Sequence, residues 1–232
     1  QDVSMGSHLQ VVGDVSMESN LEIFKNLTVH EEVFFHKPVT MSGNVNLNGD
    51  VSMEANLEIS NNLMVRNQAF LDQDVSMGSH LQVVGDVSME SNLEIFKNLT
   101  VHEEVFFHKP VTMSGNVNLN GDVSMEANLE ISNNLMVRNQ AFLDQDVSMG
   151  SHLQVVGDVS MESNLEIFKN LTVHEEVFFH KPVTMSGNVN LNGDVSMEAN
   201  LEISNNLMVR NQAFLDQDVS MGSHLQVVGD VS

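Results

Sequence analysis

Carboxylates dominate the residues whose type and spacing could do chemistry. Asp14, Glu32 and Asp50 follow one another at intervals of eighteen residues, accompanied by Glu18, Glu54 and Asp72. Carboxylates stacked in this way repel one another unless solvent or a hard, oxygen-seeking cation such as calcium screens them. The loop signatures of known calcium sites are absent, so the chemistry expected here is solvation, with calcium as the sharper possibility. His8, His30 and His36 have the side chain for metal ligation or proton transfer, but their spacing supplies no third partner. They are expected on solvated surface. Met5, Met17, Met41 and Met53 share one slot in the pattern, where a flexible thioether fills core gaps rather than binding copper. Asn26, Leu27 and Thr28 form a glycosylation sequon that recurs at Asn98 and Asn170. There is no Ser-His-Asp spacing, no glycine-rich phosphate loop and no cysteine. No catalytic, cofactor-binding or metal-ligating residue is therefore assigned, and the protein is not expected to be an enzyme.

The arrangement of these groups explains why none stands out. Residues 1–72 recur letter for letter as 73–144 and 145–216, and 217–232 begin a fourth copy. An active site needs unlike groups converging once, whereas this array presents each group at a fixed repeat. Residues 1–232 are expected to form one continuous array with no separate domain.

A finer period lies inside each copy. Cut into sixes from Asp2, the first copy reads DVSMGS, HLQVVG, DVSMES, NLEIFK, NLTVHE, EVFFHK, PVTMSG, NVNLNG, DVSMEA, NLEISN, NLMVRN, QAFLDQ. The second position is Val or Leu, with Ala69 as the exception, and the fourth is always Met, Val, Ile, Phe or Leu. Apolar residues two apart share one face of a strand, and a period of six cannot hold a stripe on a helix of 3.6 residues per turn. The unit is a short strand and a corner, and the fold expected is an all-β parallel β-helix, or β-solenoid. Gly13-Asp14, Gly43-Asn44, Gly49-Asp50 and Asn61-Asn62 tolerate a left-handed backbone, which is the expected means of turning the corners. Pro38, at a first position, fits a strand start where no ladder hydrogen is needed.

The pattern also resembles itself at 36 residues, where NLEIFK matches NLEISN. Three sides would make coils of eighteen residues, and two sides coils of twelve. The triangular form is favoured, either as a single chain or as three intertwined chains. Inward volume is level along the template, because Val pairs with Met, Leu or Phe and Leu pairs with Val or Ile. Val33 with Phe35 is the bulky extreme and Ala69 with Leu71 the lean one. Phe34 and Phe70 point outward from equivalent strands, and Phe24 follows inward Ile23. Alignment of these rings along one edge would make a lateral packing stripe.

The net charge of −23 reflects Lys25, Lys37 and Arg66 set against ten acids in each copy. Such a surface repels nucleic acid and anionic membranes and opposes sideways aggregation of strands. No signal peptide is evident, and no apolar run approaches the roughly 20 residues needed to span a bilayer. An ice-binding face would need ranks of Thr, and each copy has only Thr28 and Thr40.

The hexapeptide template, with two inward residues separated by one, resembles the hexapeptide-repeat β-helix proteins across the whole chain. It departs from them in placing Val or Leu where that family often has a small residue. Stretches such as GDVSM and GNVNLNG resemble the β-helical shafts of phage and viral fibres, in which three chains often intertwine. Neither resemblance carries a functional residue onto this chain. Together they imply a structural shaft that self-associates, as a homotrimer or an end-to-end filament, on a virion, a cell surface or outside the cell. The alternative expectation is a repeat-based binding surface, an adhesin or a calcium-binding array.

Overall fold

Strand formation follows the template at every repeat. The structure, a computed structural model, describes residues 2–231, and these fall into two compact units divided between Asn118 and Leu119. Each is built from three-residue strands that coincide with the second, third and fourth template positions, such as Val3–Met5, Leu9–Val11 and Val15–Met17. No helix long and apolar enough to cross a membrane occurs among the described residues.

Pairing is parallel and always eighteen residues apart. Val3 faces Leu21, Leu9 faces Leu27, and Val15 faces Val33. The same step recurs in the second unit, where Val123 faces Ala141 and Leu129 faces Val147. Every third strand therefore joins the same sheet, and the three sheets are the sides of a triangular coil closed within one chain. This replaces both other expectations, two-sided coils of twelve residues and three intertwined chains, because a two-sided coil would pair residues twelve apart and an intertwined shaft would share each layer among chains.

We call the side with Val3–Met5 and Leu21–Ile23 the first, that with Leu9–Val11 and Leu27–Val29 the second, and that with Val15–Met17 and Val33–Phe35 the third. Backbone hydrogen bonds enter and leave each strand along the stacking direction. The Leu21 N–H donates to the Pro38 carbonyl at 3.1 Å, and the Phe24 N–H to the Met5 carbonyl at 3.0 Å. Pro38 thus accepts at the strand entrance without having to donate, as its position predicts.

The inward positions are wholly apolar. Leu27, Val29, Val33 and Ile23 are fully buried, and no polar or charged residue is buried among the described residues. The volume extremes both lie on the third side, two coils apart, with Val51 and Met53 between them. Phe35, Ala69 and Leu71 are each only 2% exposed, so the bulky and the lean coil are both closed. Alternation lets the neighbouring Val-Met coils, whose methionines adapt their shape, level the difference.

The corners differ from expectation. No described residue, glycine included, has a positive φ, so left-handed backbone does not turn them. Glycine is needed at Gly43 for another reason: a Cβ there would run into the backbone carbonyl of Lys25 in the coil below and would lie 2.7 Å from Asn26 Oδ1. The backbone of the coil below is too close at Gly43 for a side chain there, although Lys25 and Asn61 hold the same corner position in the adjacent coils.

Candidate functional site

The first template position has a role the sequence reading missed. Its Asp or Asn side chain accepts a hydrogen bond from the backbone N–H of the residue one coil later. Asn20 N–H donates to Asp2 Oδ1, Glu32 N–H to Asp14 Oδ1, and Gln68 N–H to Asp50 Oδ1, each at 3.2 Å. Between the first and second sides, Asn44 N–H donates to Asn26 Oδ1 at 2.9 Å and Asn62 N–H to Asn44 Oδ1 at 3.4 Å. His80 N–H continues the ladder to Asn62 Oδ1 at 3.3 Å. Corner amides have no strand partner, and these side chains satisfy them. The signal was present in the recurrence of Asp or Asn immediately before eight of the twelve strands in a copy, but it was read as backbone tolerance rather than as acceptor chemistry.

This ladder also places the sequon. Asn26 is half-buried with its Oδ1 engaged by the Asn44 amide, so the glycosylation motif sits inside the corner stack. The stacked acids lie where the eighteen-residue spacing put them, with Asp14 and Asp50 each capping a corner amide. No group of three or more His, Asp or Glu side chains among the described residues converges closely enough to hold a metal ion. At Asp74 and Asp146 the hydroxyls of Ser91 and Ser163, followed by the Asn92 and Asn164 backbone amides, hold the carboxyls below their usual range.

The histidines occupy three different corner rows, and His8 lies in the one between the first and second sides, where the Asn26 N–H donates to its Nδ1 at 3.4 Å. His30 lies in the row between the second and third sides, with Asn48 Nδ2 and Gln10 Nε2 at 3.0 and 3.1 Å from its ring nitrogens. His36 lies in the row between the third and first sides, the row that also carries Glu18, Glu54 and Asp72. There its Nδ1 is 2.8 Å from Glu54 Oε2. Its counterpart His180 stands between two glutamates, with Nδ1 3.0 Å from Glu198 Oε2 and Nε2 3.6 Å from Glu162 Oε1. The spacing that stacked the acids also stacks this imidazole between them, a coincidence the sequence reading did not draw. The glutamates approach the ring from opposite coils, so they pair with it without forming a chelating cluster.

The Glu198 hydrogen bond raises the His180 pKa above its ordinary value, aided by the charge on Glu162 and opposed by partial burial and by Lys181. Because the folded-state pKa is the higher one, the stabilisation is fully present below the unfolded value of about 6.5 and is lost as pH rises through the folded value. His180→Gln is expected to flatten the dependence of Tm on pH just above that value. Glu198→Gln is expected to bring the His180 titration, followed by NMR, back down. A His180 titration unchanged in Glu198→Gln would contradict the assignment.

The outward third positions give each side its own character. On the first side they alternate Ser or Thr with Glu, as in Ser4, Glu22, Thr40 and Glu58. On the second they are Gln10, Thr28, Asn46 and Met64. On the third they alternate Ser with Phe, as in Ser16, Phe34, Ser52 and Phe70, and the rings are 39% to 46% exposed along the chain. Phe24 lies apart, in the corner between the first and second sides. The shallow grooves beside these rows, such as that lined by Asn44, Asn46, Met64 and His80, repeat with the array. Comparison with known protein families, with curated proteins and with solved structures found no match.

Proposed function

We propose that this chain is a structural, non-catalytic shaft whose work is to self-assemble into an extended filament, as part of a virion fibre or an extracellular appendage. The observation that carries this reading is the sameness of the coils. Coil after coil places apolar residues inside, accepts corner amides of the next coil and presents outward groups that recur with the array instead of converging on one place. Stacking is favourable because each inward side chain contributes about 1.5–3 kcal/mol on burial, while a coil without neighbours cannot offset its own chain entropy. The likeness of the hexapeptide template to fibre shafts points the same way. The acidic surface suits a filament that must avoid nucleic acid, anionic membranes and uncontrolled lateral clumping.

Concentration-dependent assembly is the test. Sedimentation and electron microscopy of the purified chain are expected to show filaments many chains long that shorten on dilution. Particles that remain single chains at every concentration would overturn the proposal.

A further inference from the structure

We propose that the third side is the surface through which two copies of this chain pack face to face, the phenylalanines of one copy seating on the serine rows of the other. The inference deepens the self-assembly reading and rests on it. Its first support is period. Phe34, Phe70, Phe106, Phe142, Phe178 and Phe214 stand at every second coil, with a serine between successive rings in each unit. At a strand spacing of about 4.8 Å, rings on one copy are about 9.6 Å apart. A second copy displaced by one coil sets its own rings midway, about 4.8 Å along the axis from each neighbour. Ring centroids of favourable aromatic pairs lie about 4.5–7 Å apart, so interleaving places every ring within reach of two others. The surface is its own complement, and a partner without this period would not match it.

The other sides lack this property. A copy meeting the first side brings Glu22 and Glu58 toward equal charges, and the second side offers amides, Thr28 and Met64. Area sets the strength of the pairing. Six coils of the third side in one unit cover a patch about 29 Å long and about 16 Å wide, or about 900 Å² in total when two copies meet. That is below the roughly 1,200 Å² of a stable specific interface, so pairing strengthens with the number of coils engaged. Charge sets the conditions. In the first copy Asp14, Glu31, Glu32 and Asp50 line one edge of the side, and Glu18, Glu54 and Asp72 the other, set against Lys37, Arg66, His30 and His36. Two such edges repel, and salt relieves the repulsion.

The experiment compares the unaltered chain with a variant carrying Phe→Ser at the six third-side positions. A control carries Phe24→Ser, Phe96→Ser and Phe168→Ser. All the substituted rings are outward, and circular dichroism checks that each variant is folded. Sedimentation velocity at about 0.05 M and about 0.5 M NaCl, ionic strengths on either side of a Debye length of about 8 Å, is read together with electron micrographs. The expected result is lateral pairing of the unaltered chain and the control at high salt, with pairing at least tenfold weaker in the six-site variant. Equal pairing by the six-site variant overturns the proposal. Single filaments that never pair at either salt overturn it while leaving the shaft reading intact, and loss of all assembly in the unaltered chain overturns both.

Discussion

Phe107→Ala is expected to lower stability by about 3–5 kcal/mol, whereas Phe106→Ala, one residue earlier in the same strand, is expected to change it by less than about 1 kcal/mol. The two rings belong to the strand Val105–Phe107, which pairs with Val87–Met89. Phe107 is 2% exposed and fills the bulkiest position of the core, while Phe106 is 41% exposed. Truncating Phe107 removes transfer free energy and opens a cavity between fixed coils that cannot collapse, because the strand ladder holds their spacing. Truncating Phe106 removes a ring from solvent-facing surface. Chemical denaturation of the two single variants measures the difference directly. Equal losses would mean that the strand does not alternate inward and outward as described.

The second large effect is expected at a glycine. Gly115→Ala places a methyl group against the backbone carbonyl of Lys97 and 2.7 Å from Asn98 Oδ1. The neighbour is backbone, not the flexible end of a side chain, so the coils must part at that corner. Overpacking of this kind costs about 1–3 kcal/mol, and it strikes the Asn98 acceptor that holds the Asn116 amide at 2.9 Å. The sixth template position is not generally closed to side chains, since Ala55 occupies it at the corner between the third and first sides. Substituting Gly115 should therefore reduce the denaturation midpoint and expose that corner to proteolysis. A fully stable Gly115→Ala variant would show that the approach of the coils is looser there.

These two cases mark how far the sequence could be read. Strand positions and inward residues were legible because a period of six admits only one assignment of apolar residues to the inside, whereas the eighteen-residue coil was only favoured, since the same period also fits coils of twelve. Val33, Phe35, Ala69 and Leu71 could be placed as core on that ground alone. The corners were not legible in the same way. Gly43 suggested left-handed backbone, but its conformation is ordinary and its smallness serves a contact eighteen residues away, which no local pattern announces. Asn26 looked like a glycosylation acceptor and Asp14 like a turn residue or ligand, and both act as acceptors for amides one coil on. The pairing of His36 with Glu54 was implicit in the spacing, but it required tracking histidine together with the acids along one corner. The third-side rings were recognised as outward. Their alternation with serine becomes apparent only when strands eighteen residues apart are set side by side.

The most direct test of a single-chain, three-sided shaft is the axial repeat of its filaments, measured by cryo-electron microscopy or fibre diffraction. Four coils per 72-residue copy, at about 4.8 Å each, predict a repeat of about 19 Å. A repeat of about 58 Å, with one strand of each copy in every layer, would mean three intertwined chains and would contradict the account, as would about 29 Å, the mark of two-sided coils.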